Sequence, residues 1–221
     1  MDRFYSELNA YNRRLVETGV SLPQWVPVDN NISPTWRAIS TSLKGLNRDE
    51  SCFEIGSGVG DIMAILAAHG FRNIHGIERE DWLVRLANQK LMDLFGVDNA
   101  VIHGTYPTKL TFMPTLLIQV NCIYRAGKET CQDYISRLQR WHSFNGIPHN
   151  FLVELIDGTF TAPHPAFPPE VRVHEECVRK AFLGFNVSSQ PTYVFPQNTA
   201  SKRLYSISLQ NAEVRCSGGV C

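Results

Sequence analysis

No apolar run in this chain approaches the ~20 residues that a helix needs to cross a bilayer, so no membrane span is expected. No block of like charge is present either. Lys and Arg total 21 and Asp and Glu total 21, for a formal net charge of zero. The basic footprint of a nucleic-acid binder is therefore missing. The opening residues, Met1-Asp2-Arg3-Phe4-Tyr5-Ser6-Glu7, are polar and lack the apolar stretch of a secretory leader. A cytoplasmic protein is the expectation. Of the six cysteines, Cys52, Cys122, Cys131 and Cys177 show no metal-ligand spacing, and no metal site is expected. Cys52, Cys122, Cys131 and Cys177 fall within strand or helix patterns and read as buried thiols. Cys216 and Cys221 flank a small-residue tail, Ser217-Gly218-Gly219-Val220, which reads as a flexible end over residues 213–221, with a redox or metal pair as the other reading.

What is present is a chain of 221 residues, 43% hydrophobic, enough for a proper core and too apolar for disorder. That length allows one large domain, or one domain with a cap. The rest is organised around Cys52-Phe53-Glu54-Ile55-Gly56-Ser57-Gly58-Val59-Gly60-Asp61. A short apolar run enters a glycine-rich turn, and a helical pattern follows from Ile62. Glycines serve where backbone takes φ > 0 or approaches a ligand closely. The helix behind them opens with free N–H groups. Asn73-Ile74-His75-Gly76-Ile77-Glu78 then reads as a second strand ending in an acid, placed to accept hydrogen bonds from ribose hydroxyls. The dinucleotide fingerprint G-x-G-x-x-G does not fit, because Asp61 takes its third position and the third glycine is Gly60.

The pattern Glu54-x-Gly56-x-Gly58-x-Gly60, with Glu78 following at the end of the next strand, resembles the first motifs of the class I S-adenosylmethionine (SAM)-dependent methyltransferases. The resemblance covers about residues 50–210. It implies SAM as cofactor, bound by Glu54, Gly56, Ser57, Gly58, Gly60, Glu78 and Arg79. It also places Gly104-Thr105 where the family has a glycine-acid pair against the adenine amino group; Thr105 replaces the acid, and Tyr106 is a candidate to stack on the adenine. Asn121-Cys122-Ile123-Tyr124 takes the place of the Asn/Asp-Pro-Pro-Tyr motif of some amino-group methyltransferases. It keeps the first and last letters and lacks both prolines. Asn121 and Tyr124 are thus candidate catalytic residues, and Asn121 a cofactor contact as well.

The periodicity predicts an α/β fold: a Rossmann-like, seven-stranded, mainly parallel sheet with helices on both faces and an N-terminal helical cap. Two helices, over residues 3–18 and from Ser33-Pro34 onward, precede the first strand and lie outside the βαβ repeat. Residues 1–45 therefore read as a cap or lid, and 46–212 as the SAM-binding domain. Strands are expected at 52–55, 74–78, 100–103, 116–121, 151–156, 187–195 and 203–209. Helices are expected at about 61–69, 81–95, 129–143 and 169–183. In the resembled fold the seventh strand inserts antiparallel between the fifth and sixth.

In an open α/β sheet, ligands bind beyond the carboxyl ends of the strands. That rule gathers the glycine turn, Glu78, Thr105, Tyr106, Asn121, Tyr124 and Asp157 at one edge. Methyl transfer from a sulfonium is an in-line displacement that gains from positioning and from aromatic faces beside the cation. Trp36, Tyr106 and Tyr124 are the rings best placed for this. Asp157, His164 and Glu154 are the candidate bases, and only His164 titrates near neutrality unperturbed. His69 reads as a cation near a helix end. Tyr5, Tyr11, Trp36, Arg37, Tyr124 and Asp157 are the candidate substrate contacts, with Arg37 suited to a methionyl carboxylate and packing as the alternative for the aromatics. The reading is a methyltransferase for a small-molecule acceptor, O- or N-methylating, monomeric or homodimeric, without nucleic-acid or membrane partners. A SAM-using cyclase or aminocarboxypropyl transferase, or a non-catalytic SAM-binding protein, are the alternatives.

Overall fold

The structure, a computed structural model, describes residues 1–29, 31–120, 122, 129–160, 168–194 and 200–209. Seven strands form one sheet: β1 (Ser51–Ile55), β2 (Asn73–Glu78), β3 (Val101–His103), β4 (Leu116–Gln119), β5 (Asn150–Ile156), β6 (Phe185–Val194) and β7 (Ala200–Leu209). Their order is β3-β2-β1-β4-β5-β7-β6. The first five run parallel. β7 lies antiparallel between β5 and β6, as the sequence resemblance implies. Among the described residues, six α-helices accompany the sheet: α1 (Asp2–Glu17), α2 (Pro34–Ser42), α3 (Asp61–Ala68), α4 (Asp81–Phe95), α5 (Cys131–Ser143) and α6 (Glu175–Ala181).

Strand alternation divides the core in two. On one face, Cys52, Ile74, Leu116, Ile118, Leu152 and Leu204 pack with Leu8 of α1, Ile39 of α2, Met63 of α3 and Leu91 of α4. On the other, Phe53, Leu117, Phe151, Val153 and Ile207 pack with Tyr134 and Leu138 of α5 and Val178 of α6. The two N-terminal helices thus share a core with the sheet. Leu8 and Ile39 are wholly buried.

Three expectations need correction. The helix expected at 169–183 is split into a 3₁₀ turn, Pro169–Val171, and α6. Val173 donates its N–H to Ile156 O at 2.9 Å, drawing the intervening backbone onto the end of β5. The helix expected from residue 129 begins at Cys131, because Thr130 caps it and forms a reciprocal capping box with Asp133. His69 is not a favoured cation: burial, with Arg48 and Lys44 nearby, lowers its pKa.

Candidate active site

The carboxyl ends of β1 to β4, together with Trp25, Val26, Pro27, Ser33, Thr35 and Trp36, enclose a cavity of about 490 Å³, within the range of small-molecule sites. Its base is the turn after β1. Gly56 and Gly60 hold φ of 72° and 80°, a conformation that L side chains rarely adopt. A Cβ on Gly56 would lie 2.7 Å from Cys122 Cβ, and one on Gly60 would lie 3.0 Å from Ala87 Cβ. Backbone close to β4 on one side and to α4 on the other therefore requires glycine at both. Gly60 shapes the turn from behind and does not line the cavity; Glu54, Gly56, Ser57, Gly58, Glu78, Arg79, Thr105, Tyr106 and Trp36 do.

Glu78 ends β2 as the sequence suggests, and its carboxylate is already in use. Oε2 accepts the Gly58 N–H at 2.9 Å, while Oε1 accepts those of Arg79 at 2.8 Å and Glu80 at 3.1 Å. Three charge-assisted bonds fix its orientation. Glu54 is different. It is buried, and its Oε2 has no hydrogen-bond partner. Burial first, then the nearby Asp61 and Glu78, raises its pKa well above the ordinary carboxylate value. A buried acceptor without a partner costs stability, and here it stands in the cavity wall.

Asp61 faces the same cavity and is held from behind. The ammonium of Lys90, on α4, lies 2.5 Å from Asp61 Oδ1 and 2.7 Å from Asn12 Oδ1 on α1. Asn12 Nδ2 approaches both Asp61 oxygens at 3.3 and 3.4 Å. Lys90 is fully buried, which lowers its pKa, while Asp61 acts in the opposite sense. Three helices converge on this cluster.

Several expected substrate contacts lie elsewhere. Tyr5 is buried with its hydroxyl bonded to Ser40 Oγ and its ring stacked on Trp36. Tyr11 donates to Asp93 Oδ2 at 2.7 Å. Neither tyrosine lines the cavity; both secure α1 to its neighbours. Arg37 points to solvent, 3.9 Å from Asp2. Asp157 is paired with Arg203 at 3.0 Å and accepts from Thr159 N at 2.9 Å, which holds it in the turn after β5. The structure does not bring Tyr5, Tyr11, Arg37 or Asp157 to the cavity wall. Tyr106 lines the cavity while its hydroxyl donates to Trp141 O at 2.9 Å and its ring packs against Phe53 and Trp141. The three residues expected to be catalytic, Asn121, Tyr124 and His164, lie outside the described residues.

The sequence pattern assigns no site role to Asp61, Lys90, Asn12 or Thr35, and marks Trp25 only as one of several N-terminal aromatics able to pack or to exclude water. Lys90 carried a readable signal, since it falls on the apolar face of α4 with Leu83, Ala87 and Leu91, and a lysine there needs a buried partner. Asp61 read only as a helix start. Trp25, in a proline-bounded loop, lines the cavity yet remains 60% exposed. No periodicity marks such a position.

No family model matches the chain, and no curated protein matches it. Solved structures do. The magnesium protoporphyrin IX methyltransferase of Synechocystis PCC 6803 with bound SAM aligns at TM-score 0.60 and 16% identity, over 94% of each chain. The CcbJ methyltransferase of Streptomyces caelestis aligns at 0.55 and 11%, over 80% of this chain and 90% of that one. Geranyl diphosphate C-methyltransferase of Streptomyces coelicolor A3(2) aligns at 0.55 and 10%, over 80% and 78%. With the strand order and the β1 turn, these likenesses establish the fold as that of the class I SAM-dependent methyltransferases. Among the described residues, no helix is long and apolar enough to cross a membrane.

Proposed function

We propose that the chain is a SAM-dependent methyltransferase acting on a small-molecule acceptor. The observation that carries this reading is Glu54. Its side chain lines the cavity, one of its carboxylate oxygens has no partner, and burial first, then Asp61 and Glu78, raises its pKa. An anionic ligand adds to the neighbouring carboxylates, whereas one with a cationic N–H donor both pairs that oxygen and offsets them. SAM is such a ligand, with a sulfonium and an ammonium. Glu54 would bind the ammonium end. Glu78, at the end of β2, would accept from the ribose hydroxyls with the lone pairs its backbone partners leave. Thr105 and Tyr106 would meet the adenine, and the face of Trp36 would favour the sulfonium. Bound SAM supplies an electrophilic methyl group; the chain's part is to bind, orient and exclude water.

Residues 1–45 serve as a cap fixed over this cavity, contributing Trp25, Pro27, Ser33, Thr35 and Trp36 to its wall. The cavity's size and the zero net charge favour a small acceptor over nucleic acid, in a cytoplasmic monomer or homodimer. Methylation at oxygen or nitrogen is the reaction type carried forward.

Titration calorimetry with SAM, S-adenosylhomocysteine, NAD and ATP tests the cofactor. Binding of the first two alone is expected, and preference for either nucleotide would defeat the reading. Incubation with SAM and an acceptor library then separates chemistries by product. S-adenosylhomocysteine marks methyl transfer, whereas methylthioadenosine would mark attack on the other carbon chain.

A further inference from the structure

A second buried polar cluster lies on the flank of the cavity away from Glu78. Thr35, on α2, lines the cavity, and its hydroxyl donates to Glu154 Oε1 at 2.7 Å. Glu154, on β5, is wholly buried, and its Oε2 lies 3.6 Å from Lys202 Nζ on β7. Burial lowers the pKa of Lys202, and Glu154 opposes that shift. Taking both charges out of water is costly, and a well-packed apolar pair commonly serves stability as well or better. The pair instead holds one hydroxyl in one orientation. A carboxylate paired with a lysine accepts and does not donate. The single Thr35 proton is therefore committed to Glu154, and only lone pairs of its oxygen remain for the cavity.

The strand order says which end of the cavity this is. Glu78 and Gly104–Tyr106 sit at the ends of β2 and β3, whereas Glu154 lies across β1 and β4, on β5. With the adenine at β3, the ribose at β2 and the ammonium at Glu54 on β1, the methionyl part of the cofactor would run away from β3, toward the side of the sheet on which β4 and β5 lie.

We propose that Thr35 receives the methyl acceptor, its oxygen taking a hydrogen bond from a hydroxyl or amine there, and that Glu154 and Lys202 are positioning residues fixing it in that role. This deepens the methyltransferase reading and rests on it. It also assigns the acceptor's class. The nucleophile bears a proton, and a carboxylate or phosphate oxygen at the same point would meet a lone pair backed by a buried acid.

Two defined nucleosides test this without knowledge of the acceptor. S-adenosylhomocysteine offers no donor at the methyl position. Sinefungin carries an amine on the carbon that replaces the methylated sulfur. The wild-type protein is expected to bind sinefungin at least about tenfold more tightly, one charge-assisted hydrogen bond's worth. Thr35→Val should bring that ratio close to one while S-adenosylhomocysteine affinity changes by less than about threefold. Thr35→Ser, which keeps the hydroxyl, should keep the ratio. Glu154→Gln, whose amide can donate to Thr35 and turn its proton toward the cavity, should reduce it. A wild-type ratio near one overturns the proposal even if no variant folds, and so does a ratio undiminished in Thr35→Val. Binding of neither nucleoside to the wild type would instead bring down the cofactor reading, and this proposal with it.

Discussion

Glu78 Oε2 accepts the Gly58 N–H at 2.9 Å, so the end of β2 holds the turn that follows β1. The acid proposed for the ribose also fixes the loop on which the rest of the cofactor would rest. Its removal takes away a ligand contact and a loop restraint together. Glu78→Ala is expected to weaken S-adenosylhomocysteine binding by about ten- to a hundredfold, the worth of one charge-assisted hydrogen bond. Glu78→Gln keeps an acceptor oxygen and should lose less. Calorimetric titration of the folded variants decides this, and unchanged affinity in Glu78→Ala would remove the residue from the site.

Gly60 and Gly58 both have positive φ, at 80° and 52°, but only Gly60 is crowded. A Cβ there would stand 3.0 Å from Ala87 Cβ and 3.1 Å from Ala87 Cα, whereas one on Gly58 would meet nothing within 4 Å. Gly58→Ala should cost about 1–2 kcal/mol through left-handed backbone alone. Gly60→Ala should cost more, about 2–4 kcal/mol, because α4 must shift as well. Urea unfolding of the two variants measures the difference. Equal losses would show that the approach to Ala87 relaxes freely.

Much of this was legible in the chain. The turn from Glu54 to Gly60 specified strand, loop and helix together, since alternating glycines and a following apolar run leave few other conformations. The antiparallel β7 followed from the resemblance to the methyltransferase fold, which the last helix and two strand patterns carry, and not from the strand patterns alone. What could not be read was which aromatic faces inward to a site and which inward to a core. Tyr5 and Trp36 stack on one another, yet only Trp36 reaches the cavity. Helical spacing gives a buried face and not its neighbour. The Thr35–Glu154 bond spans 119 residues, and no local pattern announces such a pairing.

Lys90 and Asp61 give a sharp stability test. The lysine is fully buried, and Lys90→Met leaves the Asp61 charge with Asn12 as its remaining partner. Breaking a buried pair from one side costs about 3–5 kcal/mol. Pairing that change with Asp61→Asn should recover much of the loss, because no uncompensated charge remains. Denaturant unfolding of both single variants and the double variant gives the coupling. Additive losses would mean that the ion pair is not what binds α4 to α3. The same cluster anchors α1 through Asn12. Amides of residues 2–17 should therefore show strong exchange protection with or without S-adenosylhomocysteine; protection appearing only with ligand would make the segment a closing lid.

His142 predicts the shape of the acid limb. It is buried among the rings of Phe151, Phe182 and Phe185. Burial lowers its pKa from 6.5 to about 4. Its protonation is thus favoured in the unfolded chain. The stability from keeping it neutral is complete above the unfolded value and is lost as pH falls from 6.5 toward about 4. The loss across that window should be about 1–3 kcal/mol. His142→Phe removes the group, and its stability should fall less steeply over the same window. Parallel curves for the two proteins would place the acid sensitivity elsewhere.

Glu54 carries the last prediction, which concerns protons and not affinity. Burial, Asp61 and Glu78 raise its folded pKa, so the ligand-free protein holds a proton there that the unfolded chain would release. By linkage, this group's contribution to stability falls as pH rises from the ordinary carboxylate value to the raised one. A ligand placing an ammonium against the carboxylate lowers the pKa again and expels the proton. Binding of S-adenosylhomocysteine should therefore release a proton within a window above the ordinary carboxylate pKa. Calorimetry in phosphate and in Tris between about pH 5 and 8 would show the release as a difference in observed heat. Glu54→Gln should abolish that difference and weaken binding. Asp61, Glu78 and Lys90 are also ionisable groups close to Glu54, so the variant comparison is decisive where the wild-type signal alone is not. An equal release in Glu54→Gln would assign the proton to one of those three. Heat independent of buffer throughout the range would mean that the ammonium is not held at Glu54.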